Sequence, residues 1–213
     1  KFSRNIHVIK PFPINERDFT VYHALDTHPR VPDHALWMAV NARGTKYICG
    51  ELLSEGGVKL LAERIKTFES VRRYRVEDRL IDPSAYIEDQ HNDDPEPSVA
   101  SKLEACGLYY RGGSKDLSAG IKRTDDALDY QLVAGDMIVP PEMFVFDSCP
   151  VTIKQTEEYV WDEYRGRGAD ERKKKGSPKD KNDHMPENVH RFLFHEPTFV
   201  PYVRIGSKRT DSS

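Results

Sequence analysis

A chain of 213 residues is long enough to bury one sizeable core, and with 31% charged against 38% hydrophobic residues its surface is heavily ionic. No apolar run approaches the roughly 18 residues a membrane helix needs, and the first apolar stretch, Phe19 to Leu25, is too short for a secretory signal. The formal net charge of −3 does not advertise a nucleic-acid partner; Cys49, Cys106 and Cys149, widely spaced and without a C-x-x-C pair, argue against a zinc site or disulfide framework and fit a reducing compartment.

The chain opens on Lys1 rather than Met, as a piece of a longer protein would, and residues 1–18, with two prolines and little periodicity, read as a linker or edge arm. Thr20 to Leu25 reads as a first strand ending at Asp26. The Pro-rich loop THPRVPD leads to a strand over His34 to Val40, and Ala42-Arg43-Gly44 turns it into a third strand, Lys46 to Leu53, as a hairpin. From Val58 to Tyr74, apolar residues at Val58, Leu60, Leu61, Ile65, Phe68 and Val71 keep the spacing of an amphipathic helix. Arg79 to Ile81 is a short strand, stopped by proline at Asp82-Pro83. Glu88 to Pro97 is polar and acidic and reads as a mobile loop. A helix over Val99 to Cys106 is closed by Gly107, Leu108 to Tyr110 reads as a strand, and the spacing predicts a helix over Leu117 to Val133. A strand at Met143 to Phe146, a helix at Thr152 to Tyr164 and a last helix from Asp183 follow; beyond Pro197 there is little periodicity. Hairpin strands feeding crossover helices predict an α/β fold: a mixed central sheet, antiparallel first and parallel after, with helices on both faces.

The residues that point to chemistry are carboxylates at the ends of apolar runs. Asp26 follows FTVYHAL, Asp82 follows RLI, and Asp183 with Glu187 opens NDHMPENVHRFLF. A carboxylate just past a buried strand sits at the rim of a sheet, exposed yet held rigidly. Several meeting at one rim make a hard-oxygen site for Mg²⁺ or Mn²⁺, and paired ions of that type cut phosphodiester bonds. Each also has a plainer reading: Asp26 as a turn initiator, Asp82 as an Asp-Pro turn starter, Asp183 as the N-cap of the last helix. Glu187 lies four residues beyond Asp183 on the same helical face, with Asn188 and Arg191. His184 is a ligand, a group that orients one, or an exposed first-turn residue.

Glu51, Asp147 and Asp180 compete less well. From Arg165 to Lys181 there are eight Lys/Arg against three Asp/Glu; Lys173, Lys174, Lys175, Lys179 and Lys181, with Arg30 beside the first strand end, are candidates for DNA phosphates, unless the loop is merely solvated. Lys115, Lys122, Arg123 and Lys154 fit a solvated helix face better than phosphate contact, and Tyr159, Trp161 and Tyr164 fit packing better than base stacking. There is no G-x-x-x-x-G-K-[ST] and no nucleophile elbow, so the chain encodes neither a Walker-type ATPase nor a hydrolase of that kind.

HVIKPF, then ALDTHPRVPDHALWMAV with its hairpin and KYICGELL, then LIDPSA, the Gly107 and Lys115-Asp116 segment, CPVTIKQTEEYVWDEY and KDKNDHMPENVHRF follow one another over most of residues 6–195. In that order they resemble the C-terminal nuclease domain of the large terminase subunit of tailed bacteriophages. The resemblance implies an RNase H-like fold and the cutting of concatemeric double-stranded viral DNA during genome packaging, with two Mg²⁺ or Mn²⁺ ions. By position Asp26 and Asp82 match that family's first and second aspartates. Of its closing Asp-His-x-x-Asp-Ala-x-Arg-Tyr motif, Asp183, His184 and Arg191 match, while Glu187 stands for Asp, Asn188 for Ala and Phe192 for Tyr. The resemblance thus implies Asp26, Asp82 and Asp183 as catalytic carboxylates, with Glu187 and His184 as further metal ligands. It also implies an arm (1–18) from an ATPase motor, a nuclease domain (19–196) and a C-terminal tail (197–213). Its partners would be double-stranded DNA, the motor, the portal and the small terminase subunit, in the cytoplasm of the infected host, the isolated domain being a monomer. Two other readings remain at this point: another RNase H-like nuclease of the resolvase type, and a DNA-binding module whose carboxylates hold no metal. A purely structural capsid protein would leave the acidic rim unexplained.

Overall fold

In a computed structural model, which describes residues 1–87, 96–114, 116–168 and 184–202, alternation along the early strands decides what each helix covers. In chain order the elements are α1 (Arg4–His7), β1 (Val8–Ile9), β2 (Phe19–Asp26), β3 (Asp33–Asn41), β4 (Lys46–Ser54), α2 (Val58–Arg72), β5 (Val76–Ile81) and α3 (Val99–Ala105). They continue with β6 (Arg111–Gly112), α4 (Leu117–Ala127), β7 (Gln131–Val133), β8 (Asp136–Val139), β9 (Met143–Phe146), α5 (Pro150–Gly168) and α6 (His184–Phe194). Seven strands form one sheet in the order β1-β9-β4-β3-β2-β5-β6. The β2–β3 and β3–β4 pairs are antiparallel and the remaining pairs parallel, which is the mixed sheet the sequence predicts.

Residues opposite each other in an antiparallel pair share a face, and successive residues alternate faces. His23 faces Trp37 across β2 and β3, and this face receives α2. Trp37 is fully buried, stacked between His23 (4.5 Å between ring centres) and Phe68 of α2 (4.0 Å). Its indole N–H donates to Glu69 at 3.0 Å, and Glu69 also accepts both arms of Arg79 at 2.6 Å. The alternate set, Asp26 opposite His34 and Ala24 opposite Leu36, faces α6, whose Met185, Val189, Phe192 and Leu193 are buried. Helices α4 and α5 pack on α6.

The structure departs from the sequence expectation in four places. The helix predicted over Leu117 to Val133 stops at Ala127, and 131–139 is a separate hairpin, β7–β8. Ala134 (φ 53°) and Gly135 (φ 94°) make its turn in the left-handed geometry that hairpins favour. The strand expected at Leu108 to Tyr110 is displaced to Arg111–Gly112, which pairs with Leu80 and Ile81, because Leu108 is drawn into the core instead. Val71 is 74% exposed: Glu69 takes the buried place at the end of the α2 stripe. Within the arm, Val8 and Ile9 pair with Val145 and Phe146 as an edge strand, and the buried His7 sets its Nε2 2.9 Å from the Leu128 carbonyl. Most of the acidic stretch, residues 88–95, lies outside the described residues.

Candidate metal centre

Strands β2 and β5 run parallel as neighbours, with Leu25 opposite Ile81. The acids that end or follow them, Asp26 and Asp82, therefore reach the same rim, and the Asp82 N–H extends the ladder to the Leu25 carbonyl (3.1 Å). Alternation turns Asp26 toward α6, which brings Glu187 from its first turn. One carboxylate oxygen each from Asp26, Asp82 and Glu187 lies within 4.8 Å of the others. Asp26 is 7% exposed, and the other two are half-buried.

The turn role and the rim role of Asp82 coexist. Its Oδ1 accepts the Ser84 N–H at 2.7 Å and so caps the 3-10 turn Pro83–Tyr86, while Oδ2 turns into the cluster. Burial pushes the Asp82 carboxyl up, but the hydrogen bonds from Ser84 and the Arg191 guanidinium outweigh it and hold the pKa below the ordinary carboxylate value.

His184 does not join the three oxygens; its Nδ1 sits 2.6 Å from Asp26 Oδ2. A carboxylate can only accept, so Nδ1 carries the proton of this bond. The ring stacks on His34 (4.6 Å between ring centres) and meets His28 edge-on at 5.7 Å. Asp33, the first residue of β3 after the loop that carries His28, is raised to about 6, by burial first and by Asp26 as well. Burial and the neighbouring His184 lower the pKa of His34.

Arg191, read from the sequence on the same helical face as Glu187, reaches further into the centre than that spacing says. Its side chain is 5% exposed, and Nη2 stands 2.5 Å from Asp82 Oδ2, 3.2 Å from Glu187 Oε2 and 3.7 Å from Asp26 Oδ1. Spacing puts it on the face of Glu187, and does not say that the guanidinium also meets Asp82 and Asp26. Beside it, Asp82, Ser114, Asp116, Glu187, His190 and Arg191 line much of a cleft of about 170 Å³. His34 was missed: it lies directly opposite Asp26, but the loop between the two strands is no tight turn that would fix the register in advance.

The other sequence candidates fall elsewhere. Asp183, Asp180 and the loop lysines Lys173, Lys174, Lys175, Lys179 and Lys181 lie outside the described residues, as does Lys115. Arg30 is exposed on the β2–β3 loop, where with His28 and Ser84 it lines a cleft of about 630 Å³ next to Asp82. Glu51 caps α5, accepting the N–H groups of Val151 (2.9 Å) and Thr152 (2.8 Å). Asp147 pairs with Lys10, Lys154 with Glu158, and Arg123 holds the last carbonyls of α6, Leu193 and Phe194. The Tyr159 ring packs near His190.

No protein-family model and no curated protein matches the sequence. Solved structures do match its fold. The large terminase of a thermophilic bacteriophage superposes with a TM-score of 0.65 at 18% identity, over 91% of this chain and 43% of its own. The same phage protein in complex with ADP gives 0.65 at 18%, over 90% and 42%. The nuclease domain of the P22 large terminase superposes with a TM-score of 0.64 at 13% identity, over 92% of this chain and 90% of its own. The chain thus spans less than half of the thermophilic phage protein and nearly all of the P22 domain. In architecture and extent, it has the RNase H-like fold of the large-terminase nuclease domain.

Proposed function

We propose that this chain is the nuclease part of a large terminase, a divalent-metal-dependent endonuclease that hydrolyses double-stranded viral DNA during genome packaging. The observation that carries the reading is the meeting of Asp26, Asp82 and Glu187 oxygens within 4.8 Å at the rim of a sheet with this fold. The donor set fits a hard cation: three carboxylates, with no thiolate or imidazole among them. Asp26, Asp82 and Glu187 would hold Mg²⁺ or Mn²⁺, with Asp183 as a further ligand from the residue preceding α6. Such ions, two by the sequence expectation, supply Lewis acidity that ionises water at neutral pH and neutralises phosphate charge. The chain's own groups prepare the place. Ser84 fixes Asp82 and favours its ionised form, the His184 Nδ1–H orients Asp26, and the cleft beside Glu187 leaves room for a phosphate group. Arg30 and Lys173, Lys174, Lys175, Lys179 and Lys181 would neutralise backbone phosphates without reading bases.

On this reading residues 1–18 are the arm from an ATPase motor, 19–196 the nuclease domain and 197–213 a tail. The partners are DNA, the motor, the portal and the small terminase subunit, and the place of action is the host cytoplasm. None of the described helices is long and apolar enough to cross a membrane. The test is nicking of a supercoiled plasmid in Mn²⁺, Mg²⁺ or EDTA. Cutting is expected with either metal, and is lost in EDTA and in a folded Asp26→Asn variant. Cutting that survives EDTA, or an Asp26→Asn enzyme running at the wild-type rate, overturns the proposal.

A further inference from the structure

We infer that the β7–β8 hairpin is a docking finger for the motor domain, its apolar side chains inserting into an apolar groove of the domain joined at Lys1. This rests on the nuclease reading above, which sets a motor before the arm, and adds the surface on which that motor sits.

The first ground is what the hairpin exposes. Among the described residues, β7 and β8 pair only with each other, outside the seven-stranded sheet. Every residue of both strands is exposed, and five of them are large and apolar: Leu132, Val133, Met137, Ile138 and Val139. Val133 is 60% and Ile138 58% exposed. A two-stranded hairpin alone is marginal in water, and a run of exposed apolar residues such as Met137 to Val139 marks a surface that something covers. The register gives its shape. Leu132 lies opposite Met137 and Val133 opposite Asp136, so alternation puts Leu132 and Met137 on one face and Val133 on the other. A hairpin apolar on both faces calls for a groove, since a flat partner would leave one face wet.

The second ground is where the chain enters. Lys1 Nζ stands 3.3 Å from Asp129, just before β7. The Phe2 ring stacks on His7 (5.3 Å between ring centres), and His7 meets Tyr130 edge-on at 5.5 Å. With the His7 Nε2 contact to the Leu128 carbonyl, residues 128–130 hold the start of the arm at the root of the hairpin. A domain joined at Lys1 therefore emerges beside strands only about 13 Å long. So short a tether gives a high effective concentration, at which a small apolar finger suffices to seat the domain.

The third ground excludes DNA as the occupant. Residues 131–139 hold no Lys or Arg and one acid, Asp136, so nothing there attracts a phosphate backbone. The hairpin also stands away from the acids. The Glu142 N–H closes its neck on the Ala127 carbonyl (2.9 Å), and Met143, which begins β9, lies opposite Lys46, which begins β4. Strands β2 and β4 run the same way, each antiparallel to β3, so this is the rim opposite Asp26 and Asp82. A motor seated there leaves the carboxylates open to DNA.

The experiment is hydrogen exchange read by mass spectrometry, on the 213-residue chain and on the protein that also carries the residues encoded before Lys1, each at low and high concentration. Peptides over 131–139 are expected to exchange freely in the shorter chain and at least about tenfold more slowly in the longer one, at both concentrations. Leu132→Thr with Ile138→Thr, which keeps strand propensity, is expected to abolish that protection and to leave Mn²⁺-dependent nicking by the shorter chain unchanged. Free exchange in both proteins overturns the inference, as does protection that survives the double change. Protection that arises in the shorter chain at high concentration also overturns it, because a second copy then covers the hairpin. Should the double variant fail to fold by circular dichroism, the two wild-type proteins decide by themselves. A chain that cuts DNA while its hairpin exchanges freely in both forms sinks this inference alone; cutting that survives EDTA sinks the nuclease reading and the motor with it.

Discussion

Replacing Asp82 by Asn asks whether the carboxylate centre is a pit of repelling charges or a set already balanced by its own cation. Asp82 accepts from Ser84 N–H at 2.7 Å and from Arg191 at 2.5 Å. The one amide oxygen of Asn can keep the first bond only, which turns an amide N–H, a donor, toward the guanidinium. A hydrogen bond to a charged partner contributes roughly 1.5–3 kcal/mol, and relief of repulsion from Asp26 and Glu187 offsets part of its loss. The expected cost in EDTA at neutral pH is about 2 kcal/mol. For a chain of this size each kcal/mol moves the midpoint by about 2–4 °C, so Tm falls by roughly 4–8 °C. The pH dependence has a definite sign. The Asp82 pKa is lower in the folded chain than its ordinary value, so its contribution is fully present above roughly pH 4 and is lost as the pH falls through the lower, folded pKa. Melting curves in EDTA across this range should show the gap between wild type and variant closing only in acid. An Asp82→Asn chain as stable as the wild type at neutral pH, or more stable, would refute the balance assigned to Arg191.

Three further outcomes are expected. Glu69→Ala strands the Arg79 guanidinium and the Trp37 indole N–H in the core and should cost about 3–5 kcal/mol in urea unfolding; a loss under about 1 kcal/mol would mean that water takes the place of Glu69. His190 is lowered to about 4, by burial first and then by Arg191, so the folded chain refuses a proton that the unfolded chain accepts below roughly pH 6.5. Its share of stability is lost as the pH falls from there toward 4, about 2–3 kcal/mol by pH 4.5, and a His190→Gln chain that keeps the wild-type slope of unfolding free energy against pH removes His190 from the account. The triple change Lys173→Glu, Lys174→Glu and Lys175→Glu should weaken DNA binding and flatten its dependence on log salt by about 3 units while sparing Mn²⁺ binding; an unchanged slope takes the loop out of the interface.

How much of this was legible in the sequence depends on whether a feature is written locally. Asp26 and Asp82 could be read because a short apolar run followed by an acid is a local pattern, and strands β2 to β5 kept their expected places for the same reason. The β7–β8 hairpin was hidden because Leu128, buried like Ala127 before it, carries the helical stripe of α4 past its real end. The Ala134-Gly135 turn between two apolar runs was the sign overlooked. Strand β6 pairs at only two positions, so pairing with β5, and no propensity of its own, makes it a strand.

The centre adds a sharper lesson. Acids at the ends of two parallel neighbours follow from sheet topology, so Asp26 and Asp82 by themselves say little beyond the fold. What this chain adds comes from α6, where Glu187, Asn188 and Arg191 fall on one face within about one turn. Read as a helix surface, they are an ordinary i, i+4 ion pair next to an amide. Docked on β2 and β3, with Asn188 bound to the His34 backbone, the same three residues set a guanidinium among three carboxylates that belong to three elements. That placement depends on how α6 lies across the sheet, which no residue spacing encodes. The charge balance among these side chains is therefore a tertiary property, which the motif that announces the acids does not give.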